Sequence, residues 1–179
     1  MKTTLSLVCC IALCCGAALA AKKSAKHAAG TPMTDQQFVD FAAQTDMTEA
    51  NLGQYASSNA SAQGVKDYAQ MLTNDHTSDY NQLTAIAGKA NLVVPKGLDA
   101  AHEKMIAPLE KLKDAALDHR YVQEMIAGHT HAISVFEKEA ADAQSADLKA
   151  YANQVLPVLH KHLDGAKDLA KAKPSAKKK

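Results

Sequence analysis

The chain has 179 residues, enough for one domain and little more. All four cysteines fall within the first 15 residues, which leaves the rest without a disulfide, a thiolate metal ligand or a cysteine nucleophile. The formal net charge is +1, but all 19 acidic residues and only 11 of the 20 basic ones lie between Thr34 and Ala170, so an acidic body carries lysine-rich flanks. An acidic body of this kind argues against sequence-specific nucleic-acid binding.

Residues 1–20 read as a secretory signal. Lys2 gives the positive start, Leu5 to Leu13 the short apolar run, and Ala18-Leu19-Ala20 the small-residue cleavage pattern, with cleavage after Ala20. The run is too short for a lasting membrane span, and the mature chain contains no other segment that would cross a bilayer. The expectation is a periplasmic or secreted protein. Residues 21–33, with Lys22, Lys23, Lys26 and His27, are expected to be a disordered basic linker, and residues 171–179 a disordered Lys-rich tail.

Between them, residues 34–170 are rich in Ala, Leu, Gln, Lys and Asp and poor in β-branched and aromatic residues, a composition that favours helix throughout. The first helix starts at Thr34, which forms a capping box with Gln37. Its apolar stripe passes through Phe38, Phe41, Ala42, Thr45, Leu52, Tyr55 and Ala56, and ends at Ser57-Ser58-Asn59. A second helix is expected over 62–90, carried by Val65, Tyr68, Ala69, Leu72, Leu83 and Ile86 and stopped at Asn91. Residues 98–114 suggest a shorter helix that Pro108 bends or divides. Two further long helices follow, over about 116–143 and 146–170, the last containing Pro157, where a kink is expected.

Short turns make each pair of long helices an antiparallel hairpin, and the connection of about 25 residues between the second and fourth helices is long enough to travel the length of the bundle. The expected fold is all-α: a ferritin-like four-helix bundle with a long, partly helical crossover between helices 2 and 4.

The second and fourth helices share a weak repeat. Tyr68 to Thr77 reads YAQMLTNDHT and Tyr121 to Thr130 reads YVQEMIAGHT, so His76 and His129 each follow their tyrosine by eight positions. Both lie on the apolar stripe, His76 four beyond Leu72 and His129 between Met125 and Ile133. Counting from the turns brings His162 in the last helix and Glu49 in the first to nearly the same height. Asp46 lies at a similar distance, but Glu49 sits on the stripe between Thr45 and Leu52. Each long helix therefore offers one candidate ligand to one layer: Glu49, His76, His129 and His162, with Asp75 and Glu137 nearby as outer partners. Neutral imidazoles with a carboxylate suit Fe, Zn, Cu or Ni. A lone histidine on an apolar face is more often a hydrogen-bonded core residue than a ligand; it is the predicted convergence of four donors that raises the metal reading. The Glu-x-x-His motif of di-iron bundles is absent, because Thr73, Ile126 and Leu159 stand three before the histidines.

On Met71-Leu72-Thr73-Asn74-Asp75-His76, on Tyr121 to His129, on Phe136-Glu137-Lys138 and on Leu156-Pro157 with His162, the chain resembles the bacterial family called domain of unknown function 4142, over about residues 34–170. The resemblance implies an exported, envelope-associated, ferritin-like bundle, and it brings no activity and no catalytic residue with it. The family more often carries Asp before the second histidine, where this chain has Gly128.

Two functions follow as expectations. One is a periplasmic bundle that binds a transition metal in its core, for metal handling or oxidative-stress protection. The other is a non-enzymatic structural or stress-response module of the envelope, binding a partner or an anionic surface through its basic tails.

Overall fold

A computed structural model describes residues 33–172. The signal, cleavage-site and linker readings, and the tail from residue 173 onward, lie outside the described residues. The described part is helical, with no strand among the described residues. The elements are α1 (Asp35–Asn59), α2 (Gln63–Lys89), a short α3 (Ala100–Ile106) followed by a 3-10 turn (Leu109–Lys111), α4 (Asp114–Asp142) and α5 (Ala146–Lys171).

Local chemistry sets the ends. Thr34 caps α1, with its hydroxyl accepting from the Gln37 amide while the Gln37 side chain accepts from the Thr34 amide. α2 ends in a left-handed residue, Asn91 at φ 56°, which lets the Leu92 amide donate back to the Ala87 carbonyl at 2.9 Å. Pro108 has no amide hydrogen to continue α3, and the chain tightens there into the 3-10 turn. α5 passes through Pro157 without interruption. The α1–α2 turn is held from outside its own sequence by Asp118 of α4, whose carboxylate accepts from the Ser61 and Ala62 amides at 2.8 and 2.9 Å.

Two apolar clusters fix the topology. One gathers the start of α1 (Phe38, Val39), the end of α2 (Leu83, Ala87), the end of α4 (Ile133, Phe136) and the start of α5 (Leu148, Tyr151). The other gathers the end of α1 (Leu52, Ala56), the start of α2 (Val65, Tyr68), the start of α4 (Leu117, Tyr121) and Ala166 of α5. The starts of α2 and α4 therefore share one end of the bundle, and the two helices run in the same direction. The crossover that makes this arrangement is pinned to α1. The Gln44 side chain donates to the Gly97 carbonyl and accepts from the Asp99 amide, both at 3.0 Å, and the Tyr55 hydroxyl reaches the Glu110 and Leu112 carbonyls. No helix among the described residues is long and apolar enough to cross a membrane.

Candidate metal centre

Between the two apolar clusters lies a layer of another kind. Glu49, His76, His129 and His162, one from each long helix, are at most 4% exposed. The structure thus brings together all four residues that helix phase selected. The imidazole centroids are 5.2 to 5.8 Å apart, and one ring nitrogen from each histidine lies within 4.8 Å of the other two.

The two nitrogens of each ring have different company. On the outer side, His76 Nδ1 is 2.9 Å from Asp46 Oδ1, His129 Nδ1 donates to the Met125 carbonyl at 2.9 Å, and His162 Nε2 is 2.9 Å from Asp75 Oδ2. On the inner side, His76 Nε2, His129 Nε2 and His162 Nδ1 have no hydrogen-bond partner. Glu49 Oε2 approaches His76 Nε2 at 2.9 Å and His129 Nε2 at 3.2 Å, but neither approach has hydrogen-bond geometry, and this oxygen too is without a partner. A buried polar atom left unsatisfied costs about 1–3 kcal/mol; the charge of Glu49 beside His76 and His129 offsets part of that here, whereas His162 Nδ1 has nothing to offset it. An outer nitrogen tied to a carboxylate or carbonyl, with the inner nitrogen left open, is the pattern of ligating imidazoles oriented by their surroundings.

Electrostatics inside the layer work in opposite directions. Burial works against ionisation of Glu49, but His129 and His76 outweigh it and hold the carboxyl below its usual range. Burial also opposes a charge on His76, yet Glu49 and Asp46 on either side raise it well above the ordinary histidine value. For His129 burial prevails and lowers it. Burial likewise takes His162 down to about 4, despite the Asp75 hydrogen bond. The layer therefore combines an ionised carboxylate with two neutral imidazoles, and the His76 proton is the one positive charge that a bound cation would displace. The donor set fits a first-row divalent transition metal.

Space around Glu49 depends on Gly128. A Cβ there would stand 3.3 Å from Glu49 Oε1, closer than side chains normally tolerate, so this glycine leaves the carboxylate its room. Of the expected outer partners, Asp75 holds His162, whereas Glu137 is exposed on α4 and the buried glutamate of that helix is Glu139. Asp46, which the apolar stripe does not select, reaches His76 as Glu49 does. Residues three apart share one helix face, so the sequence places Asp46 beside Glu49. Tyr68 donates to the His162 carbonyl at 2.8 Å, as a core-edge tyrosine should; the Tyr121 hydroxyl is buried without a partner.

The sequence pattern of the family described as domain of unknown function DUF4142 matches residues 20–169. No curated protein sequence matches the chain. Among solved structures, a DUF305 fragment from Deinococcus radiodurans is similar over 79% of this chain and 100% of its own, with a TM-score of 0.66 and 16% identity. CopM in the Cu(II)-bound form is similar over 79% of this chain and 98% of its own, with a TM-score of 0.66 and 15% identity. At such identities the likeness is one of fold.

Proposed function

We propose, from the premise that this chain belongs to the DUF4142 family, that it is an envelope protein that binds one transition-metal ion in the core of its bundle. The observation that carries this reading is the set of inner donors. Three imidazoles from three helices converge, with His76 Nε2, His129 Nε2 and His162 Nδ1 outside any hydrogen bond, Glu49 Oε2 of the fourth helix stands against two of them, and the outer nitrogen of each ring is held in place. A divalent ion bound there would satisfy all four. Its chemistry would be that of a Lewis-acidic or redox centre enclosed by protein. Four protein donors in a dry layer favour holding and handing on an ion, or keeping it from oxidative chemistry, over turning over a substrate. The copper-bound state of one structural neighbour belongs to that protein, and it makes Cu(II) a metal to test here beside Zn(II), Fe(II) and Ni(II). The envelope location rests on the signal pattern of residues 1–20.

Elemental analysis of protein purified without a histidine tag tests the reading. The expected result is close to one transition-metal ion per chain, falling below one-tenth in His76→Ala and His129→Ala. At a free metal concentration 100 times Kd, binding should stabilise the unaltered protein by about 2.7 kcal/mol. Metal-free protein whose melting point does not respond to any of the four ions contradicts the reading.

A further inference from the structure

We propose that the cleft between α2 and α5 is the port through which the ion reaches the core, and that Asp75 is the carboxylate that captures it; this rests on the metal reading above. The centre itself is closed to solvent, with each of its four residues at most 4% exposed, so an ion must pass a boundary residue. α2 and α5 belong to different hairpins, and the seam between them opens into a cavity of about 240 Å³. Its lining includes Asp75, Asp79, Gln154 and Val158, and it reaches His76 and His162, two of the three imidazoles.

The outer partners of the three rings separate the routes. Asp46, which holds His76, has a side chain only 4% exposed, and the partner of His129 is a main-chain carbonyl. Asp75, which holds His162 Nε2 at 2.9 Å, has a side chain 41% exposed. It is the one outer partner that touches both water and a ring of the centre. Asp79, its carboxyl raised above the usual range by burial, adds a second acidic group to the cleft, whose cations are Lys161 at the rim and the protonated His76 at the floor. A hydrated cation at the mouth meets the exposed Asp75 first, and coordination by Asp75 would draw its oxygen away from His162 Nε2. That imidazole, released from its outer hydrogen bond, is free to turn and let the ion through, and is fixed again when Asp75 re-engages it.

A larger cavity, about 410 Å³, lies between α1 and α2. It reaches only His76, and on that side His76 Nδ1 is already engaged by Asp46, the one acidic side chain in a lining of Met47, Asn51, Gln54 and other uncharged residues, and burial pushes that carboxyl up to about 7. Volume favours this cavity; access to two rings and a water-exposed carboxylate favour the α2–α5 cleft, and for a small cation they decide.

Stopped-flow uptake of Co(II), followed by its visible absorption in metal-free, untagged protein, tests the port. Asp75→Asn should slow uptake about tenfold at low salt, and the deficit should shrink as salt screens the carboxylate. Val158 is 40% exposed and outside the donor set, so Val158→Trp can plug the mouth without disturbing the core. It should slow uptake by a similar factor yet reach the same final loading, with an unchanged circular dichroism spectrum. Asn51→Trp, placed in the other cavity, should leave the rate unaltered. Full loading at unaltered rates in both Asp75→Asn and Val158→Trp, or slowing in Asn51→Trp alone, overturns the port and leaves the metal centre standing. Failure of the unaltered protein to take up Co(II) overturns both.

Discussion

Two neighbouring layers of the bundle core, built by the same four helices, differ in what they bury. In one, Phe38, Leu83, Phe136 and Tyr151 meet, with the Phe38 and Phe136 rings edge to face at 5.0 Å and Phe38 and Tyr151 at 6.2 Å. In the other, Glu49, His76, His129 and His162 meet, and they are just as dry. Burial of the first layer drives folding. Burial of the second contributes less, because its polar atoms leave water and recover only part of what they lose there, through the outer hydrogen bonds and the contacts of Glu49 with His76 and His129. Apolar side chains of similar volume would fill the second layer at less cost. Retaining four donors there is what a ligand-binding layer requires, and it makes the two layers respond differently to substitution.

The largest difference should come from truncation in each layer. Phe38→Ala, at 0% exposure, should cost about 4 kcal/mol in urea unfolding and leave the metal content intact. His129→Leu, equally buried, should change metal-free stability by no more than about 1 kcal/mol, because the buried nitrogen it removes is offset by the support Glu49 loses, and it should abolish metal binding. A loss in His129→Leu comparable to that in Phe38→Ala would erase the contrast between the layers.

The next effect is a response to pH that only the polar layer can give. Folding holds His162 neutral, down to about 4, whereas an unfolded histidine takes up a proton near 6.5. Between these values the unfolded chain binds the extra proton, so the stability His162 contributes is lost as pH falls through that window. His76, raised by Glu49 and Asp46, has the opposite sign: its contribution is present below about 6.5 and is lost as pH rises through its folded value. Comparing metal-free protein with His162→Leu isolates the first effect. The unaltered protein should lose about 2 kcal/mol more than the variant between about pH 6.5 and pH 4.5. Parallel stability curves would mean that His162 titrates normally.

Glu139 supplies the smallest test, and it sharpens the lesson of Glu49. Both are buried glutamates, but no imidazole offsets the burial of Glu139; Asp35 and Asp142 add to it, and its carboxyl is pushed up to about 7. The folded chain keeps a proton there that the unfolded chain releases above about 4.5, so this group weakens the fold as pH rises from about 4.5 to 7. Its place near the end of α4 lets solvent screen part of that cost. Glu139→Gln should therefore stabilise the protein by about 1 kcal/mol at pH 7.5 and by almost nothing at pH 5, read from thermal melts at the two values. Equal melts at both would show that the carboxyl is ionised without penalty.

The features legible in the sequence are those carried by period and spacing. Apolar stripes mark the four long helices, with a capping box at the start of the first, and distance from the turns places Glu49, His76, His129 and His162 at one height, because rise per residue is nearly constant along a helix. Choosing one ligand per helix hid the fact that Asp46 and Glu49, three residues apart, can both face inward and grip opposite sides of one ring. The division of the crossover at Pro108 was readable from the missing amide, but its anchoring by Gln44 and Tyr55 was not, since those bonds join residues more than 50 positions apart. Asp118 beneath the α1–α2 turn and the exposed Asp75 at the cleft depend in the same way on which helices become neighbours. Glu137 and Glu139 differ only in helix phase, and an error of two residues exchanges an exposed glutamate for a buried one.

X-ray absorption at the metal edge, on untagged protein loaded with one equivalent of Zn(II) or Cu(II), reaches the central claim most directly. The expected spectrum carries the outer-ring scattering of about three imidazoles with one further oxygen donor, and it loses one imidazole in His129→Leu. A shell of oxygens alone, or a spectrum that His129→Leu does not alter, would place the ion elsewhere and contradict the account.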